Sequence, residues 1–187
     1  MLLKEFRIIN NCTNAEYQIA QLFNVAEMSK AASGNGEGVE IIENKPYSGD
    51  GREGQYTHKS KMPALVMKAL PTGATECIEH AWNAFPWCKT EITNGYMKEY
   101  FYLTVESLHV DGDRGQIENA LNLSPEELKQ REVIMIDVAN DSKQYSLLKY
   151  NPETEDVGSS RSEKAQRGPL IGNWTKTCDP VMTCYKV

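Results

Sequence analysis

Three strand-like runs, TECIEHAWN, WCKTEIT and MKEYFYLTVESLHV, follow one another between residues 75 and 110, with three residues between successive runs. Connections this short join antiparallel neighbours, because a parallel crossover needs a dozen residues or more. The chain must therefore build much of its fold around an antiparallel sheet. Upstream, LLKEFRII (2–9) reads as a first strand with imperfect alternation. Thr13 begins TNAE, a capping-box pattern with Glu16 three residues on. The helix that follows has Ile19, Leu22, Phe23 and Ala26 at helical spacing, which predicts its buried face.

Gly34, Gly36 and Gly38 end that helix, and VEIIEN (39–44) reads as the next strand. KPYSGDGREG reads as a loop and QYTHK (55–59) as a short strand. Pro63 opens a short helix through Leu70. Ser124-Pro125 opens another in SPEELKQ, followed by a strand in REVIMIDVA. Residues 151–168 are polar and serine-rich and read as an exposed loop, and CDPVMTCYKV is a final strand. The order predicts an α+β fold with helices laid against a curved sheet, in one domain over 1–187.

Charge excludes some functions. The net charge of -6 argues against a nucleic-acid partner, which calls for a basic face, and against docking on anionic lipid by bulk charge. The five cysteines are odd in number and form no CxxC pair, which speaks against a disulfide framework or a zinc site and for a reducing, cytoplasmic setting. The first eleven residues hold no apolar signal region, and no run of about 18 apolar residues occurs. P-loop, GxGxxG and HExxH patterns are absent, and GNGEG follows a helix where a phosphate loop would precede one. Cys88 with His80 is the one nucleophile–base pair to weigh, but no third orienting group accompanies it. We expect neither an enzyme nor a cofactor.

Polar residues embedded in the strand-like runs are more informative. Thr57 and Lys59 lie two apart and share a face, as do Cys88 and Thr90. Asn83 follows Trp82, Gln21 interrupts the apolar side of the long helix, and Lys186 sits in the last strand. Each alone reads as solvent exposure or a buried polar pair. Together they are hydroxyls, amides and lysines without an acid–base couple, a donor set suited to a phosphate and a polyol.

At these residues the chain resembles the class I phosphatidylinositol transfer proteins. EYQIAQLFNVAEMSK (16–30), GEGVEIIENKPY (36–47), GQYTHK (54–59), AWNAFPWCKTEITNGYMKE (81–99), RGPLIGNW (167–174) and CYK (184–186) recur in that family's order. The resemblance implies a START-like helix-grip fold enclosing a lipid cavity, and exchange of phosphatidylinositol for phosphatidylcholine between membranes by a cytoplasmic protein that visits membranes peripherally. By position it implies Thr57, Lys59 and Asn83 as inositol contacts. It implies Gln21, Thr90, Lys186 and Ser107, which stands for a family threonine, as phosphate contacts, and Cys88 as a pocket-lining residue.

Two departures matter. After YTHK the family continues its strand before an SKxP segment, whereas THKSKMP runs on directly here, predicting a shortened strand. The family also continues beyond CYK into a membrane-docking tryptophan pair, a closing helix and an inositol-contacting glutamate. Without such a helix the apolar concave face is expected to be exposed and then covered by self-association, a bound amphiphile or a partner. The alternative reading is a regulatory lipid- or protein-binding module that transfers nothing.

Overall fold

The computed structural model describes residues 2–32, 38–62, 76–139 and 158–187. The chain is α+β, with a mostly antiparallel eight-stranded sheet whose hydrogen-bonded order is β2-β3-β4-β5-β6-β8-β1-β7. The strands are β1 (Lys4–Asn10), β2 (Gly38–Gly49), β3 (Arg52–Met62), β4 (Cys77–Ala84), β5 (Trp87–Asn94), β6 (Tyr102–Asp111), β7 (Glu132–Ile136) and β8 (Met182–Lys186). The helices are α1 (Asn14–Ala32), α2 (Pro125–Gln130) and α3 (Trp174–Thr177). This architecture is consistent with the START-like helix-grip fold. The helix expected at 63–70 lies outside the described residues. No helix among the described residues is long and apolar enough to cross a membrane.

Backbone contacts group the chain into two units. The first comprises Met1–Asn14 and His109–Lys186. In it β1 pairs antiparallel with β8 and parallel with β7. The imperfect alternation of LLKEFRII has a structural cause: the residues of β1 that point inward are Glu5, Arg7 and Ile9. Buried charges persist only when paired. Arg7 Nε donates to Glu5 Oε1 at 2.6 Å, and Arg131 Nε lies 3.2 Å from Glu5 Oε2. Arg7 also donates to the Gly115 carbonyl at 2.9 Å, and both arginines reach Glu118. Burial works to lower the Arg7 pKa, but the hydrogen bond and charge of Glu5, with Glu118, outweigh it and leave the pKa raised.

Strand β8 carries the most buried side chains, Met182, Thr183, Cys184 and Tyr185. Tyr185 Oη donates to Asp113 Oδ2 at 2.6 Å and accepts from the Ile117 amide at 2.8 Å. Nearby, Ile9, Trp174 and Val181 form a small core, and Trp174 Nε1 donates to Asp137 at 2.9 Å. Arg114 donates to the carbonyls of Thr175 and Cys178, each at 2.7 Å, satisfying the C-terminal end of α3. The Ser124-Pro125 start of α2 is a full capping box, with Glu127 closing on the Ser124 amide.

Asp113 ties this unit to pH. Burial alone would raise its pKa, but hydrogen bonds from Tyr185 and from the Gly115 and Gln116 amides outweigh burial and depress it. A carboxylate whose folded pKa lies below its unfolded value contributes stability above that unfolded value, near 4, and loses it as pH falls through the folded value. Asp113→Asn is therefore expected to flatten the stability-versus-pH curve below about pH 4, measured by urea denaturation between pH 2.5 and 6. An acid limb as steep as that of the parent chain contradicts the assignment.

The second unit, Ala15–Leu108 with Val187, holds most of α1 and the meander β2-β3-β4-β5-β6. Val187 closes on β6 through two hydrogen bonds with Glu106, at 2.7 and 2.9 Å. Two sequence expectations are corrected here. First, the segment read as a loop, KPYSGDGREG, belongs largely to β2 and β3, and only Asp50-Gly51 turns. Both turn residues have positive φ, 53° and 71°, which suits a two-residue hairpin loop. The strand carrying Thr57 and Lys59 is accordingly eleven residues long, not short.

Second, the apolar stripe of α1 is not buried. Ile19 is 71% exposed, Phe23 64% and Leu22 54%, and Ala26 is exposed as well. A stripe at helical spacing shows that an apolar surface exists, but it does not supply a covering element. Among the described residues, this helix face stands as an exposed apolar surface.

Candidate headgroup site

Strand alternation and register build the site. In an antiparallel pair, residues directly opposite point to the same face. Asn44 on β2, Thr57 on β3, Ala81 on β4, Thr90 on β5 and Val105 on β6 form one such row across the second unit. The adjacent row runs Gln55, Asn83, Cys88 and Ser107. On the other side Lys59 stands opposite Glu79, which stands opposite Ile92. Six of the eight residues singled out from the sequence thus share one sheet face.

Gln21 reaches this face from the side of α1 turned away from the exposed Ile19, Leu22 and Phe23, so it does not interrupt that apolar side as its place in the sequence suggests. Its Nε2 lies 3.8 Å from Cys88 Sγ, and the thiol lies 3.4 Å from Asn83 Oδ1. Gln21 Oε1 is buried and has no hydrogen-bond partner among the described residues. A buried acceptor left unpaired is unfavourable, and it identifies a position where a donor on a ligand would be welcome. The eighth residue, Lys186, lies on β8 of the first unit, opposite Phe6.

The ammonium of Lys59 lies 3.8 Å from Glu79 Oε1, and the two side chains are 20% and 36% exposed. Glu79 is not among the residues the sequence singles out. Its signal is available there, since it lies two and four residues before Ala81 and Asn83 and must share their face. Asn44 and Gln55 are also missing from that set. Gln55 lies two residues before Thr57, but Asn44 joins the face only through the β2–β3 register.

The site depends on close strand contact at one glycine. A Cβ on Gly54 would stand 2.1 Å from the Asn83 carbonyl oxygen, so β3 can lie against β4 there only without a side chain.

The opposite face of these strands is differently built. One row runs Lys45, Tyr56, Trp82, Lys89 and Glu106, and the next Glu43, His58, His80, Glu91 and Thr104. His58 and His80 stack at 4.4 Å, and Tyr56 Oη lies 2.7 Å from His80 Nδ1. Lys89 and Glu91 pair at 2.8 Å. Their hydrogen bond raises the lysine pKa and lowers the carboxyl pKa.

Trp87 is buried, with the Arg52 guanidinium 4.4 Å from its ring and Nε1 donating to Glu106. HAWNAFPWCKT is thus divided by alternation, with Asn83, Cys88 and Thr90 on the site face and both tryptophans on the other. Cys88 and His80 fall on opposite faces, so the nucleophile–base pair considered from the sequence is not formed.

Hydroxyls, carboxamides, a thiol and an ammonium are grouped on one sheet face, the donor set that the polar end of an amphiphile calls for. The comparisons narrow this class. The family model described as "Phosphatidylinositol transfer protein" matches residues 1–187, and the chain belongs to that family. Among its relatives, the phosphatidylinositol transfer protein beta isoform of Rattus norvegicus is 43% identical over 192 residues, spanning all of this chain and 70% of that protein. Phosphatidylinositol transfer protein 2 of Dictyostelium discoideum is 44% identical over 194 residues, spanning all of this chain and 72% of that protein. The beta isoform of Homo sapiens is 43% identical over 197 residues, with the same 100% and 72% coverage.

Proposed function

We propose that this chain binds phosphatidylinositol by its headgroup on the β3–β6 face and carries it between membranes in exchange for phosphatidylcholine. The observation that carries the reading is the gathering of Thr57, Lys59, Asn83, Cys88, Thr90 and Ser107 on one face, with Gln21 above the thiol.

The inositol ring is assigned to Thr57, Lys59 and Asn83, on β3 and β4. The phosphate is assigned to Thr90 and Ser107, on β5 and β6, and to Gln21. Neighbouring strands are about 4.8 Å apart, so the two groups are offset by a small number of strand spacings, as a ring and its phosphodiester are. Lys186 is assigned to the phosphate by its place in the CYK motif, and Cys88 lines the pocket.

Carrying a lipid through water requires an apolar surface for its two acyl chains, whose exposure costs on the order of 20 kcal/mol at about 0.8 kcal/mol per methylene. Ile41 and Leu103, both exposed and in the same cross-strand row as Lys59, suit that task. Exchange breaks no covalent bond, so the function is not enzymatic and calls for neither metal nor cofactor. The protein works in the cytoplasm and docks transiently on membrane surfaces.

The test is transfer of labelled phosphatidylinositol from donor to acceptor vesicles, with mass spectrometry of the lipid that leaves with the protein. Stoichiometric loading and transfer above the spontaneous rate are expected. Loading without transfer favours the second reading, a regulatory lipid-binding module. That reading draws on the exposure of Ile19 and Phe23, a surface that self-association or a partner can also cover. A chain that takes up no phospholipid sinks both.

A further inference from the structure

One part of the site face has no role in the assignment above. Asn44 lies directly opposite Thr57, one strand further out, and Gln55 lies two residues before Thr57 on β3. Gln55 Nε2 donates to Asn44 Oδ1 at 2.5 Å. The same oxygen is 3.5 Å from Thr57 Oγ1, at the outer limit of a hydrogen bond with the hydroxyl as donor. Both amide side chains are exposed, so neither belongs to a core.

The consequence is chemical. A threonine hydroxyl has one proton and two lone pairs, and it rotates to suit its partners. With its proton directed at Asn44, the oxygen presents its lone pairs to whatever lies on the face. A hydroxyl turned this way acts as an acceptor. A polyol hydroxyl can donate to that acceptor, whereas the quaternary ammonium of choline has no N–H or O–H to offer.

We propose that Asn44 is a positioning residue that holds the Thr57 hydroxyl as an acceptor, with Gln55 holding Asn44, and so favours a polyol headgroup over choline. This inference rests on the headgroup reading of the preceding subsection.

The purified full chain is incubated with vesicles of equimolar phosphatidylinositol and phosphatidylcholine, and the bound lipids are quantified by mass spectrometry. Asn44→Ala is expected to lower the bound inositol-to-choline lipid ratio about fivefold, in line with loss of one neutral hydrogen bond. Asn44→Asp keeps an acceptor for both donors and is expected to retain most of the ratio. Because Asn44 acts through Thr57, the double variant Asn44→Ala/Thr57→Ala should fall no lower than Thr57→Ala alone.

A parental ratio in Asn44→Ala, beside a lowered ratio in Thr57→Ala, overturns this inference only. Losses that multiply in the double variant also overturn it. A parental ratio in Thr57→Ala overturns the headgroup reading, and the inference with it. If circular dichroism shows Asn44→Ala unfolded, Gln55→Ala is used. It should lower the ratio about twofold by releasing Asn44, and an unchanged ratio there removes the proposal.

Discussion

Lys59→Ala is expected to lower phosphatidylinositol transfer about ten- to a hundredfold and to leave phosphatidylcholine transfer close to the parental rate. The magnitude follows from losing a charge-assisted hydrogen bond, about 1.5–3 kcal/mol, with each 1.4 kcal/mol a factor of ten. Selectivity follows from position. Lys59 shares the face and strand of Thr57, on the side of the site assigned to the ring, and its ammonium is an anchored donor held 3.8 Å from Glu79. Choline presents a cation, which gains nothing from Lys59.

Thr57→Ala is expected to act in the same direction but more weakly, about two- to tenfold, because a neutral hydrogen bond is lost. The measurement is a pair of vesicle assays, one per labelled lipid, on variants whose melting curves match the parent. Equal loss of both lipids in a folded Lys59→Ala variant would place the lysine in general lipid holding and would defeat the ring assignment.

The second large effect concerns the first unit and is one of stability. Glu5→Ala is expected to destabilise the chain by roughly 3–5 kcal/mol, because breaking a buried ion pair leaves uncompensated charge behind. Two arginines would be left. Arg7 and Arg131 have side chains 9% and 4% exposed, and each lies within 3.2 Å of a Glu5 oxygen. For a chain of this size the melting temperature should fall on the order of 10 °C. Urea denaturation at pH 7 checks the free energy directly. A change under about 1 kcal/mol would mean that Glu118 or water compensates the arginines, and it would refute the view that both depend on Glu5 as their buried partner.

Much of the site is legible in the amino-acid sequence, for a local reason. Alternation has period two, so Thr57 with Lys59, and Cys88 with Thr90, must share faces once those segments are strands. The split within AWNAFPWCKT follows from the same rule. The capping box at Ser124 and Glu127 is local too, since its partners are three residues apart.

Inferences from local pattern to distant partners fare worse. Ile19, Leu22 and Phe23 have the spacing of a buried face, yet burial needs a second surface, and a helix does not carry its own. KPYSGDGREG has the composition of a loop, yet the residues on either side of Asp50-Gly51 are strand, since each finds a ladder partner across the hairpin.

Residue type and a two-residue repeat within single segments suffice for the α+β class, for the family, and for which side chains on each strand share a face. Register came only with the folded chain. Folding placed Asn44 beside Thr57, set Glu79 against Lys59, brought Gln21 over Cys88, and put His80 on the far side of the sheet from Cys88. It also gave Glu5 to both arginines. Most of these join segments distant in the chain. They are settled by hydrogen-bond pairing between strands and by the need of buried charges for partners, and no single segment carries that information.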